Sequence, residues 1–197
     1  MKKDQKLDYL KRLAEECSLL RRTVIEKLGE QLLDLSDVIS GVIGTGGKLL
    51  IAGNGGSAAD ACHFAAEMVV RLTADRNRQA LPAIALGTDP AMMTAAANDF
   101  GFDNAFARQV EALGNKGDML FVISTSGNSL NLLKAVQTAK ELGLLTAGLL
   151  GNQGGKLGRA ADRTLIIPHP STQRIQEEHI FVIHLLVELV ESDLFSK

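Results

Sequence analysis

Apolar side chains recur at steps of three and four residues from early in the chain: Leu13, Cys17, Leu20, Val24, Leu28, Leu32, Leu35, Ile39 and Ile43. This is the period of one helical face, so the spacing predicts helix over 4–44, with one break expected near Gly29. A helical segment ahead of every strand reads as an arm or a pair of helices that packs on the domain and on a partner subunit. A helix that only covers its own domain would show the same pattern.

From Gly46 the period changes. Short apolar runs at 48–53, 82–86, 118–124, 144–150 and 163–168 are bounded by Gly, Pro, Asp or Asn, as strands buried on both faces should be. Helical stretches separate them near 57–72, 90–98, 103–113, 129–142 and 155–161, and a long one covers about 173–192. Strand–helix alternation predicts an α/β fold with a parallel sheet and helices on both faces. No linker, low-complexity run or internal repeat divides the sequence, so it reads as one domain: an arm over 1–44 and an α/β core over 46–197. In such sheets ligands bind beyond the carboxyl ends of the strands.

Composition narrows the function classes. A hydrophobic share of 46% and a charged share of 22% are those of an ordinary globular chain with a real core. The formal net charge of -2 offers no basic field to nucleic acid or an acidic membrane. Cys17 and Cys62 lack metal or redox spacing and read as small buried or half-buried thiols in a reducing compartment. The segment MKKDQKLDYLKRL has no signal-peptide core, and IFVIHLLVELV, interrupted by His184 and Glu188, is too short to span a bilayer. A cytoplasmic protein is expected.

Two loops follow predicted strands at the ligand-binding edge. STSGNS (124–129) puts the hydroxyls of Ser124, Thr125, Ser126 and Ser129 ahead of a helix, with Gly127 allowing close backbone approach. Hydroxyls and free amides at a helix N-terminus suit a phosphate dianion. An ordinary turn with Ser129 as N-cap is the plainer reading. GNGGSA (53–58) lacks dinucleotide spacing and suits close approach to a polyhydroxy ligand, with Asn54 and Ser57 offering side-chain hydrogen bonds.

The helices add titratable groups. His63 and Glu67 lie four apart on one helical face, where they can share a metal, flank a substrate or form an exposed ion pair. Gln176, His179 and His184 fall in or beside the apolar C-terminal helix, and His184, inside IFVIHLLV, should be at least half-buried. Gln176 and His184 are eight apart, roughly 12 Å along a helix, so they meet one ion only by leaning together. NDFGFD (98–103) places Asn98 and Asp99 at a helix-end turn.

Taken together, GNGGSAADACHFAAE, NDFGF, ISTSGNS and RIQEEHIFVIH resemble the sugar isomerase (SIS) domain family and, within it, the phosphoheptose isomerase branch. The resemblance covers nearly the whole chain from about Gly46 and includes the helical arm. It implies a three-layer α/β/α, flavodoxin-like fold with a five-stranded parallel sheet, assembled as a homotetramer with active sites near subunit contacts. It implies conversion of sedoheptulose 7-phosphate to a manno-heptose 7-phosphate, the first step towards nucleotide-activated heptose for surface glycans such as lipopolysaccharide. The substrate contacts it carries over are Asn54, Gly55, Gly56, Asn98, Asp99, Ser124, Thr125, Ser126, Ser129 and Gln176. It also carries over a zinc site at His63, Glu67, Gln176 and His184.

An aldose–ketose isomerisation needs a base at C1–C2, a proton donor at the oxygens and stabilisation of an enediolate. On that chemistry Glu67 is the expected base and His184 the expected acid. One position departs from the pattern: an aspartate that some members carry three residues before the motif glutamine is Gln173 here. The competing readings are a non-catalytic SIS protein that partners replication initiation and a sugar-phosphate sensor. The joint presence of Glu67 and His184 favours the enzyme.

Overall fold

The computed structural model describes residues 2–195. Its elements run α1 (Lys3–Gly44), β1 (Leu49–Gly53), α2 (Gly56–Val69), β2 (Ala83–Ala85), α3 (Pro90–Phe100), a 3-10 turn (Phe102–Asn104), α4 (Ala105–Leu113), β3 (Met119–Ser124), α5 (Leu130–Glu141), β4 (Leu145–Gly151), α6 (Leu157–Ala160), β5 (Arg163–Ile167) and α7 (Thr172–Phe195). The strands form a five-stranded, wholly parallel sheet in the order β2-β1-β3-β4-β5.

Strand residues alternate between two apolar layers, as the period of two requires. Leu49, Ile51, Met119, Phe121, Ile123, Leu149, Leu165 and Ile167 face a core shared with α1, α2 and α7. Leu50, Ala52, Leu120, Val122 and Leu150 face the opposite core, built with α4, α5 and α6. The β1, β3 and β4 residues in these layers are almost fully buried. This explains why their sequences read as continuous apolar runs instead of alternating ones.

Four sequence expectations are corrected. The break near Gly29 does not occur: α1 is one helix of 42 residues. A single glycine costs a helix about 1 kcal/mol against alanine, whereas Leu20, Val24, Leu28, Leu32, Leu35 and Ile39 are all buried in one continuous seam. Each fully buried side chain of this kind contributes on the order of 2 kcal/mol, so the seam outweighs the glycine. The stretch expected as helix over 155–161 is one turn, Leu157–Ala160, and the helix expected over 103–113 begins as the 3-10 turn. Cys17 is half-buried as expected, but Cys62 is exposed.

Other local signals are realised. Asp89 caps α3 by accepting from the Ala91 and Met92 amides, with Pro90 in the first turn. At the amino ends of the strands Asp118 joins β1 to β3, accepting from the Lys48 amide and ammonium and the Asn115 amide. Those donors hold its carboxyl below the usual range against the opposing effect of burial. Among the described residues no helix is long and apolar enough to cross a membrane.

Candidate active site

The chain lays down β1 and β2, then returns to place β3 on the other side of β1. The carboxyl ends of β1 and β3 are therefore the topological switch point, where a crevice opens in sheets of this kind. Gly53 and Ser124 end these two neighbouring strands, and each leads directly into one of the two polar loops.

The 124–129 loop is held from within and from behind. Ser124 is buried, and its Oγ accepts from the Gly127 amide at 3.1 Å. Gly127 has φ 64°, and a Cβ there would overlap the Gly154 carbonyl, so this position requires glycine. The Gly127 carbonyl accepts from the Leu157 amide at 2.9 Å, and Asn128 Oδ1 accepts from the Lys156 amide at 3.1 Å. Ser126 Oγ accepts from the Asn128 amide. Ser129 stands at the N-cap of α5, yet its hydroxyl makes no capping bond. The plain N-cap reading of Ser129 is thus not realised, and the hydroxyl and the first-turn amides of α5 lie at the mouth of the crevice.

The 53–58 loop is tied to the other by a side-chain pair that the sequence did not reveal. Asn54 Nδ2 donates to Asn131 Oδ1 at 3.0 Å, and Asn131 Nδ2 donates to Asn54 Oδ1 at 2.9 Å. Asn131, in the first turn of α5, is 3% exposed and also accepts from the Leu132 amide. The Asn54 amide is therefore engaged in linking its loop to α5, and Ser57 is buried, so neither side chain projects freely as the sequence suggested.

Helices α2 and α7 supply the titratable groups, and they run in the same direction. Gln176 lies against the start of α2, where a Cβ on Gly56 would overlap its amide nitrogen. One level further along, His63 Nε2 and His184 Nε2 are 2.8 Å apart, with the rings edge-to-face at 64°. Glu67 Oε1 sits 3.7 Å from His63 Nδ1, on the far side of the same ring. Asp60, one turn before His63, is buried with Oδ2 unpartnered. Burial raises its carboxyl from 3.8 to about 6, against the lowering influence of His63. The spacing Asp60-x-x-His63 was the available sequence signal for Asp60.

The remaining predicted positions fall elsewhere. His179 is fully buried, with Nε2 3.2 Å from the Leu150 carbonyl. Asn98 and Asp99 are exposed at the end of α3, where Asn98 Nδ2 donates to Asp99 Oδ1 at 2.8 Å. Asp99 borders a cavity of about 330 Å³ between α3 and α4 with Met92, Phe100 and Arg108. Gln173 is exposed and accepts from the Ser171 hydroxyl at 2.7 Å. Among the described residues, no group of three or more His, Cys, Asp or Glu side chains is arranged to hold a metal ion.

The SIS domain family matches residues 12–151, which includes both polar loops and α2. The phosphoheptose isomerase of Chlorobaculum parvum is 51% identical over 174 residues, covering 88% of this chain and 83% of that protein. Among solved structures, the phosphoheptose isomerase of Neisseria gonorrhoeae superposes with a TM-score of 0.88 at 40% identity, covering 94% of this chain and 98% of that one. The phosphoheptose isomerase of Francisella tularensis does so with a TM-score of 0.90 at 34% identity, covering 95% and 98%. Similarity of this extent does not favour a non-catalytic partner or a sensor. The chain belongs to the SIS domain family and, within it, to the phosphoheptose isomerases.

Proposed function

We propose that this chain interconverts sedoheptulose 7-phosphate and D-glycero-D-manno-heptose 7-phosphate through an enediol, supplying phosphorylated heptose for nucleotide activation. The observation that carries the reading is the contact of His63 with His184 at one ring nitrogen and with Glu67 at the other, on the helix that follows the polar loop after β1 at the switch point. A sugar phosphate suits both halves of the crevice. The phosphate is taken by Ser124, Thr125, Ser126 and Ser129 and the α5 N-terminus. The sugar end lies along Asn54, Gly55, Gly56 and Gln176.

In this reading Glu67 removes a proton from C1 of the ketose, and His184 protonates O2 as the enediol forms. The Glu67 proton exchanges with solvent at the enediol stage, and Glu67 then delivers a proton to C2 while His184 takes the proton from O1, leaving the aldehyde at C1. Atoms balance with no external reductant or oxidant. In the contact between His63 and His184 one ring nitrogen donates and the other accepts.

His63, Gln176 and His184 offer two imidazole nitrogens and an amide that suit zinc in kind, whereas Glu67, the fourth expected donor, lies on the opposite side of the His63 ring from His184. Two of these nitrogens already converge at 2.8 Å. When bound, zinc would polarise the sugar carbonyl and stabilise enediolate charge. Glu67 lies on the Nδ1 side of His63, which leaves its carboxylate open to the base role.

The exposed end of α3 and the outer face of α1 support a homotetramer. α3 is largely apolar yet buries no residue within one chain, and Leu7, Leu10 and Leu19 of α1 are exposed. Asn98 and Asp99 would then meet substrate across a subunit contact. A phosphorylated substrate fits a cytoplasmic enzyme.

Turnover of sedoheptulose 7-phosphate, before and after dialysis against a chelator, tests this reading. Activity that falls on chelation and returns with zinc is expected. Undiminished activity in metal-free protein would remove the zinc assignment, and absence of turnover in metal-loaded protein would remove the function.

A further inference from the structure

Beyond the crevice, α2 and α7 are joined a second time. Arg78 comes from the segment between α2 and β2, and its side chain is only 1% exposed. Its Nε donates to Glu191 Oε1 of α7 at 2.7 Å. Its Nη2 donates to the Glu67 carbonyl at 2.7 Å, and its Nη1 donates to the Met68 carbonyl at 2.8 Å and the Gln79 carbonyl at 2.9 Å. Glu191 is itself buried, and its second oxygen lies 3.9 Å from Arg76 Nε.

The bond to Glu67 satisfies a carbonyl that the last turn of α2 leaves without a helical partner, and the bond to Met68 adds to the one from the Leu81 amide. A guanidinium near the C-terminus of a helix also sits at the negative end of its dipole. The arrangement goes beyond an ordinary C-cap in two respects. One of the carbonyls it holds belongs to Glu67, and its counter-ion lies on α7, seven residues and so about two turns beyond His184. Arg78 therefore grips the backbone of the proposed base and the helix of the proposed acid at once.

We infer that Arg78 and Glu191 are positioning residues that fix the spacing of α2 against α7, and with it the placement of the Glu67 carboxylate relative to His63 and His184. This rests on the isomerase reading above. A fork of fixed geometry is what such a task requires, because a flexible ammonium cannot hold two successive carbonyls and a carboxylate in one plane. Misplacement of a reacting group by about 1 Å can cost on the order of a hundredfold in rate. A clamp of this kind therefore acts on turnover more than on substrate capture, which belongs to the loops at the other end of the two helices.

The test compares the full-length parent with Arg78→Lys and with the apolar pair Arg78→Met/Glu191→Leu. Removing both charges together avoids leaving one buried without a partner. Far-ultraviolet circular dichroism and thermal melting establish that each protein is folded, and kcat and KM for sedoheptulose 7-phosphate are then measured. The expected result in a folded variant is a fall in kcat of about tenfold or more, with KM within about threefold of the parent. A folded variant with kcat within about twofold of the parent would overturn the inference, as would a rise in KM with kcat unchanged. Hydrogen exchange on the parent protects the test against variants that do not fold. The amides of Val70 and Leu72, which donate to the Ala66 carbonyl and to Glu191 Oε1, should exchange far more slowly than a fraying helix end, and exchange at the rate of a fraying end would also overturn the inference. An inactive parent would instead remove the isomerase reading and leave the exchange result to judge the clamp.

Discussion

Glu67 lies one turn beyond His63 on α2, its side chain 19% exposed and its carboxylate at the ring's Nδ1. Glu67→Gln preserves shape and removes the proton acceptor. It should melt within a few degrees of the parent and lose activity by about 10²–10⁴-fold, the span typical of a missing general base. Comparable kcat in that variant would take the base role away from Glu67. A second residue sets a pH dependence. His179 is pushed from its ordinary 6.5 down to about 4 by burial, against the raising effect of the Leu150 carbonyl. A group held neutral in the fold contributes stability that is intact above the unfolded value and is lost as pH falls from about 6.5 towards about 4. Asp60, raised to about 6, acts in the opposite sense, since its contribution fades as pH rises towards and through that value. The His179 effect is therefore read as a difference between the parent and His179→Gln, whose amide can still donate to Leu150. Over that window the parent should lose on the order of 1–3 kcal/mol relative to the variant in urea unfolding. Parallel curves would contradict the assignment.

At the scale of elements, the pairing of Asn54 with Asn131 joins the loop after β1 to the first turn of α5. Asn131→Ala would strip both partners from the Asn54 amide and the side-chain acceptor from the Leu132 amide. A loss of about 1–3 kcal/mol is expected from buried groups left unpaired, together with a raised KM for the sugar phosphate. Denaturant titration and steady-state kinetics check the two parts separately. This pair also shows where sequence reading stops. The strands were legible because double burial writes continuous apolar runs, and the polar loops were legible because they follow those runs. The partners of Asn54 and Glu191 lie 77 and 113 residues away, and nothing local in the sequence marks them. Asn131 looks like any helix-start residue, and Arg78 looks like one more charge in a polar connection. The continuity of α1 through Gly29 was hidden for a related reason: the packing that overrides the glycine comes from a distant helix.

At the scale of the whole molecule, one chain leaves apolar surface uncovered. α3 carries Met92 and Phe100 on exposed positions, and α1 exposes Leu7, Leu10 and Leu19 along its first half. Patches of this kind mark contacts between proteins. Sedimentation velocity should give a mass four times that of the chain, and a monomer at micromolar concentration would contradict the tetramer and the placement of Asn98 and Asp99 across a subunit contact. The central claim is proton transfer between neighbouring carbons of a sugar phosphate. It is tested most directly by incubating the zinc-loaded protein with sedoheptulose 7-phosphate in deuterium oxide and following the sugar by nuclear magnetic resonance. The account predicts an aldoheptose 7-phosphate carrying solvent deuterium at C2, formed by the parent and not by Glu67→Gln. Unchanged ketose after prolonged incubation with the parent would contradict it.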